Sequence, residues 1–141
     1  MQNSIDIKKL ICDAFEGREA AYTPYSHFKV GAALVTEDGS IYKGCNIENA
    51  SYGATNCAER TAVFKAVSDG HRKINAIAIV GGMEGAEPTY AFPCGICRQV
   101  LREFSEPSEL IVIVAKSVTD YKTYTLEELL PESFGPDFRE V

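Results

Sequence analysis

Thr55-Asn56-Cys57-Ala58-Glu59-Arg60, answered downstream by Pro93-Cys94-Gly95-Ile96-Cys97-Arg98, is the pair of stretches that decides how the rest of the chain is read. Three cysteines so arranged can hold a zinc ion tetrahedrally and leave its fourth position to water, and the carboxylate two residues after the first can carry protons beside that water. Cys57 opens a run of strong helix formers that lasts to Val67, and Ser68-Asp69-Gly70 ends it with a glycine suited to a C-terminal stop. Pro93 fits a first helical position, which predicts a second helix over 94–104. Both cysteine groups then fall in first turns, where unpaired N–H groups and the helix dipole favour thiolate over thiol.

Working outward, Ile74 to Gly82 is short, apolar and bounded by Gly-Gly, which predicts a buried strand that holds the two helices as neighbours. Upstream, Phe28 to Val35 reads as a strand with small residues at a close approach, Glu37-Asp38-Gly39-Ser40 as a turn, and Ile41 to Cys45 as the returning strand of a hairpin. Before it, Ile5, Ile7, Leu10, Ile11, Ala14 and Phe15 recur at helical spacing over about 4–21, with Cys12 expected in the core and a break at Pro24. Downstream come a buried strand at Leu110 to Ala115, an edge strand at 118–124, and a short capped helix from Thr125 stopped by Pro131. Alternating strands and helices predict an α/β domain with one core over residues 1–141.

The 141 residues include five cysteines and carry a net charge of -6. An odd cysteine count with a C-x-x-C pair points to metal or redox chemistry in a reducing, cytoplasmic setting more than to disulfides. The acidic balance, with a pI near 4.9, opposes nucleic acid as a partner. The longest apolar run, Leu110 to Ala115, is too short for a membrane span.

C-x-x-C alone fits a thioredoxin-like centre or half of a structural zinc knuckle. A redox centre needs neither a third cysteine nor a carboxylate, and a structural zinc needs a fourth ligand. Cys12, Cys45, His27 and His71 lie outside both motifs, with core packing the default for Cys45 and a surface turn for His71. Three ligands and an open position is the better count. The polar loop Asn46 to Ala54 leads into the first motif and is placed to line the site, where Asn46 and Glu48 suit recognition of hydroxyl groups.

Cys57-Ala58-Glu59-Arg60 with Pro93-Cys94-Gly95-Ile96-Cys97-Arg98-Gln99 resembles the zinc-dependent cytidine deaminases, in the short-chain form that acts on free nucleosides. Tyr25-Ser26, Phe28 to Ala33, Gly44 to Ala50, Tyr52 and Glu127 to Pro131 extend the likeness over about residues 5–135. The resemblance implies a three-layer αβα fold, a mixed sheet of about five strands with helices on both faces, and one zinc per chain on Cys57, Cys94 and Cys97. It implies that zinc and Glu59 generate the hydroxide that attacks C4 of cytosine, with Glu59 carrying protons to N3 and to the departing amine. The products are uridine or deoxyuridine and ammonia, as in pyrimidine salvage.

By the same resemblance Phe28 packs on the base, Asn46 and Glu48 bind the ribose and the Ala58 backbone contacts the base. Tyr52 lies near a subunit boundary, and Phe134, with Phe138 as a substitute, closes the pocket of a neighbouring subunit in a homotetramer. Arg60 and Gln99 stand behind the ligands. Three thiolates overcompensate the charge of zinc, so the two helix N-termini and Arg60 must draw that charge off. A deaminase of a related aminopyrimidine nucleoside and a non-catalytic zinc protein are the alternatives.

Overall fold

The computed structural model describes residues 5–137, and its elements follow from where the apolar side chains fall. Helix α1 (Ile7–Arg18) is capped by Asp6, whose carboxylate accepts from the Lys9 N–H at 3.1 Å. Strands β1 (Phe28–Thr36) and β2 (Ile41–Cys45) form the hairpin, turning at Gly39 with φ +90°. Helix α2 (Ala58–Ser68) leads to β3 (Ile74–Met83), α3 (Gly95–Glu103), β4 (Ile111–Ala115), β5 (Tyr121–Thr125) and α4 (Leu126–Leu129). The expected capping box closes the start of α4, between Thr125 and Glu128.

The five strands order as β2-β1-β3-β4-β5. Only β3 and β4 run parallel, with Ile77 opposite Val112 and Ile79 opposite Val114, and the intervening crossover carries α3. Alternation splits the core into two layers. Ala33, Ala76, Ala78, Val80 and Ile113 meet Leu10, Ile11 and Ala14 of α1 on one face. Leu34, Ile77, Ile79, Val112 and Val114 meet Ala62, Val63, Leu101 and Leu126 of the other three helices on the opposite face. The sheet thus has helices on both sides, as expected.

Two glycines set how closely helices lie on it. A Cβ on Gly31 would come within 2.1 Å of the Ala14 carbonyl oxygen, and one on Gly44 within 2.5 Å of both Ala58 O and Ala62 N. Gly44 therefore seats the first turn of α2, and with it the first cysteine motif, directly on β2.

Three expectations need correction. Helix α1 is shorter than 4–21, because Asp6 caps it and its chain turns away after Arg18, whose guanidinium donates to Lys29 O and Gly82 O. Cys12 is exposed. It lies about 100° round the helix from Ile11, off the Leu10-Ile11-Ala14 stripe, while buried Asp13 is matched by Lys9 at 2.9 Å. His71 is no plain surface residue: its side chain is 21% exposed and its ring meets Tyr42 edge-on at 5.3 Å.

Candidate active site

The two cysteine motifs converge because α2 and α3 both begin on the same side of the sheet. Cys57 and Cys94 stand as the N-caps of these helices, in extended backbone, one position before the first turns predicted for them. Pro93 accordingly precedes the cap instead of opening the helix. The shift has a physical logic, since the Cys94 sulfur accepts from the Cys97 N–H at 3.4 Å, the bond that a Ser or Asp cap supplies elsewhere. Cys97 lies one turn on and is wholly buried.

The sulfurs of Cys57, Cys94 and Cys97 all lie within 4.8 Å of one another, and those of Cys57 and Cys94 are 3.8 Å apart. Zinc–sulfur bonds of about 2.3 Å in a tetrahedron separate two sulfurs by about 3.8 Å, so the residues present fit the ion. No fourth Cys, His or carboxylate joins the cluster among the described residues.

The electrostatics favour ionisation at Cys57. The Cys57 thiol is held down at about 5, chiefly by a hydrogen bond from Cys97 and then by Arg60, against the opposing effect of burial. Cys97 is pushed up by the same contact with Cys57 and by burial, so the cluster without an ion holds its charge on Cys57. Arg60 Nη2 donates to the Cys57 sulfur at 3.2 Å, which in turn holds the guanidinium firmly charged. Its Nε is buried with no hydrogen-bond partner.

Glu59 follows Ala58 in the first turn of α2 and is 4% exposed. Burial raises its carboxyl to about 7, with the Cys57 thiolate adding to the rise. That is the range in which a carboxylate both accepts and returns a proton near neutral pH.

Glu59, Cys57, Cys94, Ala58, Phe28 and Asn46 line one cleft of about 360 Å³, within the size range of small-molecule sites. Glu48 and Tyr52 line an adjoining cleft with Tyr25, Ser26 and Asn49, and Thr55 belongs to both. The polar loop between β2 and α2 is pinned there by bridges from Ile47 to Tyr22 and to Asn56. Phe134 joins neither cleft and is 89% exposed, while Phe138 lies outside the described residues.

Gln99 is misplaced by the sequence reading. Its side-chain amide donates to the Phe134 carbonyl at 2.8 Å and supports no thiolate. Two residues beyond Cys97 is about 200° round the helix, which turns Gln99 to the far side. The sequence reading also missed Phe92, an exposed aromatic that lines the cleft and meets Tyr124 edge-on at 5.9 Å. Its position directly before Pro93 was the available signal.

A sequence model of the cytidine and deoxycytidylate deaminase zinc-binding region matches residues 5–114. The cytidine deaminase of Sporosarcina psychrophila is 50% identical over 133 residues, 94% of this chain and 94% of that protein. A crystal structure of cytidine deaminase from Burkholderia pseudomallei superposes with a TM-score of 0.80 at 49% identity, covering 89% of this chain and 97% of that one. The crystal structure of cytidine deaminase from Mycobacterium tuberculosis gives 0.80 at 39% identity, covering 94% and 100%.

Proposed function

This chain belongs to the cytidine and deoxycytidylate deaminase zinc-binding family, and from that premise we propose a single-domain cytidine deaminase that hydrolyses cytidine to uridine and ammonia, and deoxycytidine by the same chemistry. The observation that carries the reading is Glu59, a buried carboxyl that lines one cleft together with Cys57 and Cys94 of a three-sulfur cluster. Bound by Cys57, Cys94 and Cys97, zinc supplies the Lewis acidity that makes a water reactive at neutral pH.

The chain's own groups do the rest. Glu59 takes a proton from the attacking water and delivers it to N3 of the ring, which leaves C4 open to the oxygen. It then carries the second proton to the amino group, the C4–N bond breaks, ammonia departs and the pyrimidine carbonyl remains. Phe28 stacks against the base and the Ala58 backbone orients it. Asn46 and Glu48 meet the ribose hydroxyls, supported by their places at the base cleft and the adjoining cleft. Arg60 draws charge from Cys57, which keeps three thiolates compatible with an acidic water.

The enzyme acts in nucleoside recycling, in the cytoplasm, as a homotetramer with shared pockets. Five thiols without a disulfide among them support the reducing compartment. The exposed ring of Phe134 supports a neighbouring copy, and Tyr52, 76% exposed, stands at the same kind of boundary. No helix among the described residues is long and apolar enough to cross a membrane. The test is loss of ultraviolet absorbance on mixing with cytidine, deoxycytidine, adenosine and cytosine, with zinc per chain by elemental analysis. Cytidine turnover with one zinc per chain is expected, and no absorbance change with cytidine would overturn the reading.

A further inference from the structure

We propose that Ser26 is a positioning residue: it fixes the Glu48 carboxylate and ties it to the Phe28 backbone, so that one turn sets the sugar contact and the base contact together. The inference rests on the reading that Glu48 meets the sugar.

The donors and acceptors of this turn are almost all committed. The Ser26 hydroxyl donates to Glu48 Oε2 at 2.5 Å. The N–H groups of Tyr25 and Ser26 donate to Glu48 Oε1 at 3.0 and 3.2 Å. The Ser26 oxygen also accepts from the Phe28 N–H at 3.0 Å. Phe28 is held on its other side as well, because Asn46 Nδ2 donates to its carbonyl at 2.8 Å while Asn46 Oδ1 accepts from the Val30 N–H at 2.9 Å. The backbone that carries the aromatic ring is therefore clamped between Ser26, which holds Glu48, and Asn46.

A carboxylate offers about four acceptor positions, and three of the bonds on Glu48 come from the turn. What remains is on Oε2, the oxygen that the Ser26 hydroxyl orients. His27 makes the fold-back achievable. Its φ of 59° is a left-handed conformation that few non-glycine residues adopt, and it is held by His27 N–H to Thr23 O at 3.0 Å and Glu84 N–H to His27 O at 2.7 Å. Strain kept in place beside a site is consistent with a turn whose geometry matters to binding.

The test is steady-state deamination of cytidine by the zinc-loaded enzyme and its Ser26→Ala, Ser26→Thr, Glu48→Ala and Ser26→Ala/Glu48→Ala variants, each with its zinc content. Ser26→Ala is expected to raise KM about tenfold, the equivalent of about 1.4 kcal/mol, with kcat and zinc unchanged. Ser26→Thr, which keeps the hydroxyl, restores most of the loss. The double variant is worse than Glu48→Ala by less than Ser26→Ala is worse than the wild type, because part of the Ser26 effect runs through Glu48 and only its direct bond to the Phe28 N–H is left to lose. An unchanged KM in Glu48→Ala overturns the sugar reading itself. A raised KM in Glu48→Ala with an unchanged KM in Ser26→Ala, or additive effects in the double variant, overturns the positioning role alone.

Discussion

The two ends of α3 are built in opposite ways. At its N-terminus the side chains turn inward: Cys97 is fully buried, Glu59 nearly so, and Arg60 donates to the Cys57 sulfur. Further along the helix Gln99 and the buried Arg102 hold a segment without regular structure. Arg102 Nε donates to Ser133 Oγ at 2.8 Å and its Nη1 to Pro136 O at 2.6 Å, while Gln99 takes the Phe134 carbonyl. A Cβ on Gly135 would meet the Arg102 side chain at 2.9 Å, so the segment lies tight on the helix. All of that anchoring serves a backbone whose one aromatic side chain is left in solvent. The sulfur cluster and Glu59 come from one chain, whereas the tail holds the Phe134 ring out in solvent.

Removing a sulfur should give the largest effect. Cys94→Ala is expected to lose zinc and all measurable deamination yet keep its far-ultraviolet circular dichroism, because Cys94 is exposed and belongs to neither core layer. A variant that retains a full zinc would break the distinction between the two ends.

Arg60→Ala tests the inward charge network without removing a ligand. Its turnover should fall roughly 10–100-fold, and Arg60→Lys should fall less. Wild-type rates in the alanine variant would remove Arg60 from the site.

The outward end should answer differently. Phe134→Ala is expected to raise KM for cytidine roughly tenfold at unchanged zinc content, and Arg102→Ala to raise it less, since Gln99 still holds the segment. Equal zinc loss in these variants would show that the two ends are not separate.

The smallest effect is electrostatic and lies in the sugar cleft. The Ser26 hydroxyl first, then the N–H groups of Tyr25 and Ser26, hold Glu48 below its ordinary 4.5. A depressed carboxylate contributes its ionised-state stability fully above 4.5 and loses it as pH falls through the lower folded value. A carboxyl titration followed by NMR should therefore place the Glu48 midpoint below 4.5, and Ser26→Ala should move it upward. A midpoint unmoved by the substitution would deny Ser26 that role.

How much of this was legible depended on whether neighbours in sequence were neighbours in space. The helix formers after Cys57 and the apolar run at Ile74 make their elements locally, and the structure keeps both. The three-sulfur cluster was legible because each motif carries its own helix start. Cys12 and Gln99 were misread because a residue's membership in a pattern or motif does not fix its angle round the helix, which only packing reveals. Ser26 and Phe92 were missed because their partners, Glu48 and Tyr124, lie 22 and 32 residues away.

The central claim is that three sulfurs hold the metal while Glu59 moves the protons, two roles set side by side but separable. Glu59→Gln, assayed for zinc per chain and for cytidine deamination on the same sample, tests it most directly. One zinc per chain is expected, with activity reduced by roughly 10²–10⁴-fold or more. Near-normal deamination, or zinc lost along with activity, would contradict it.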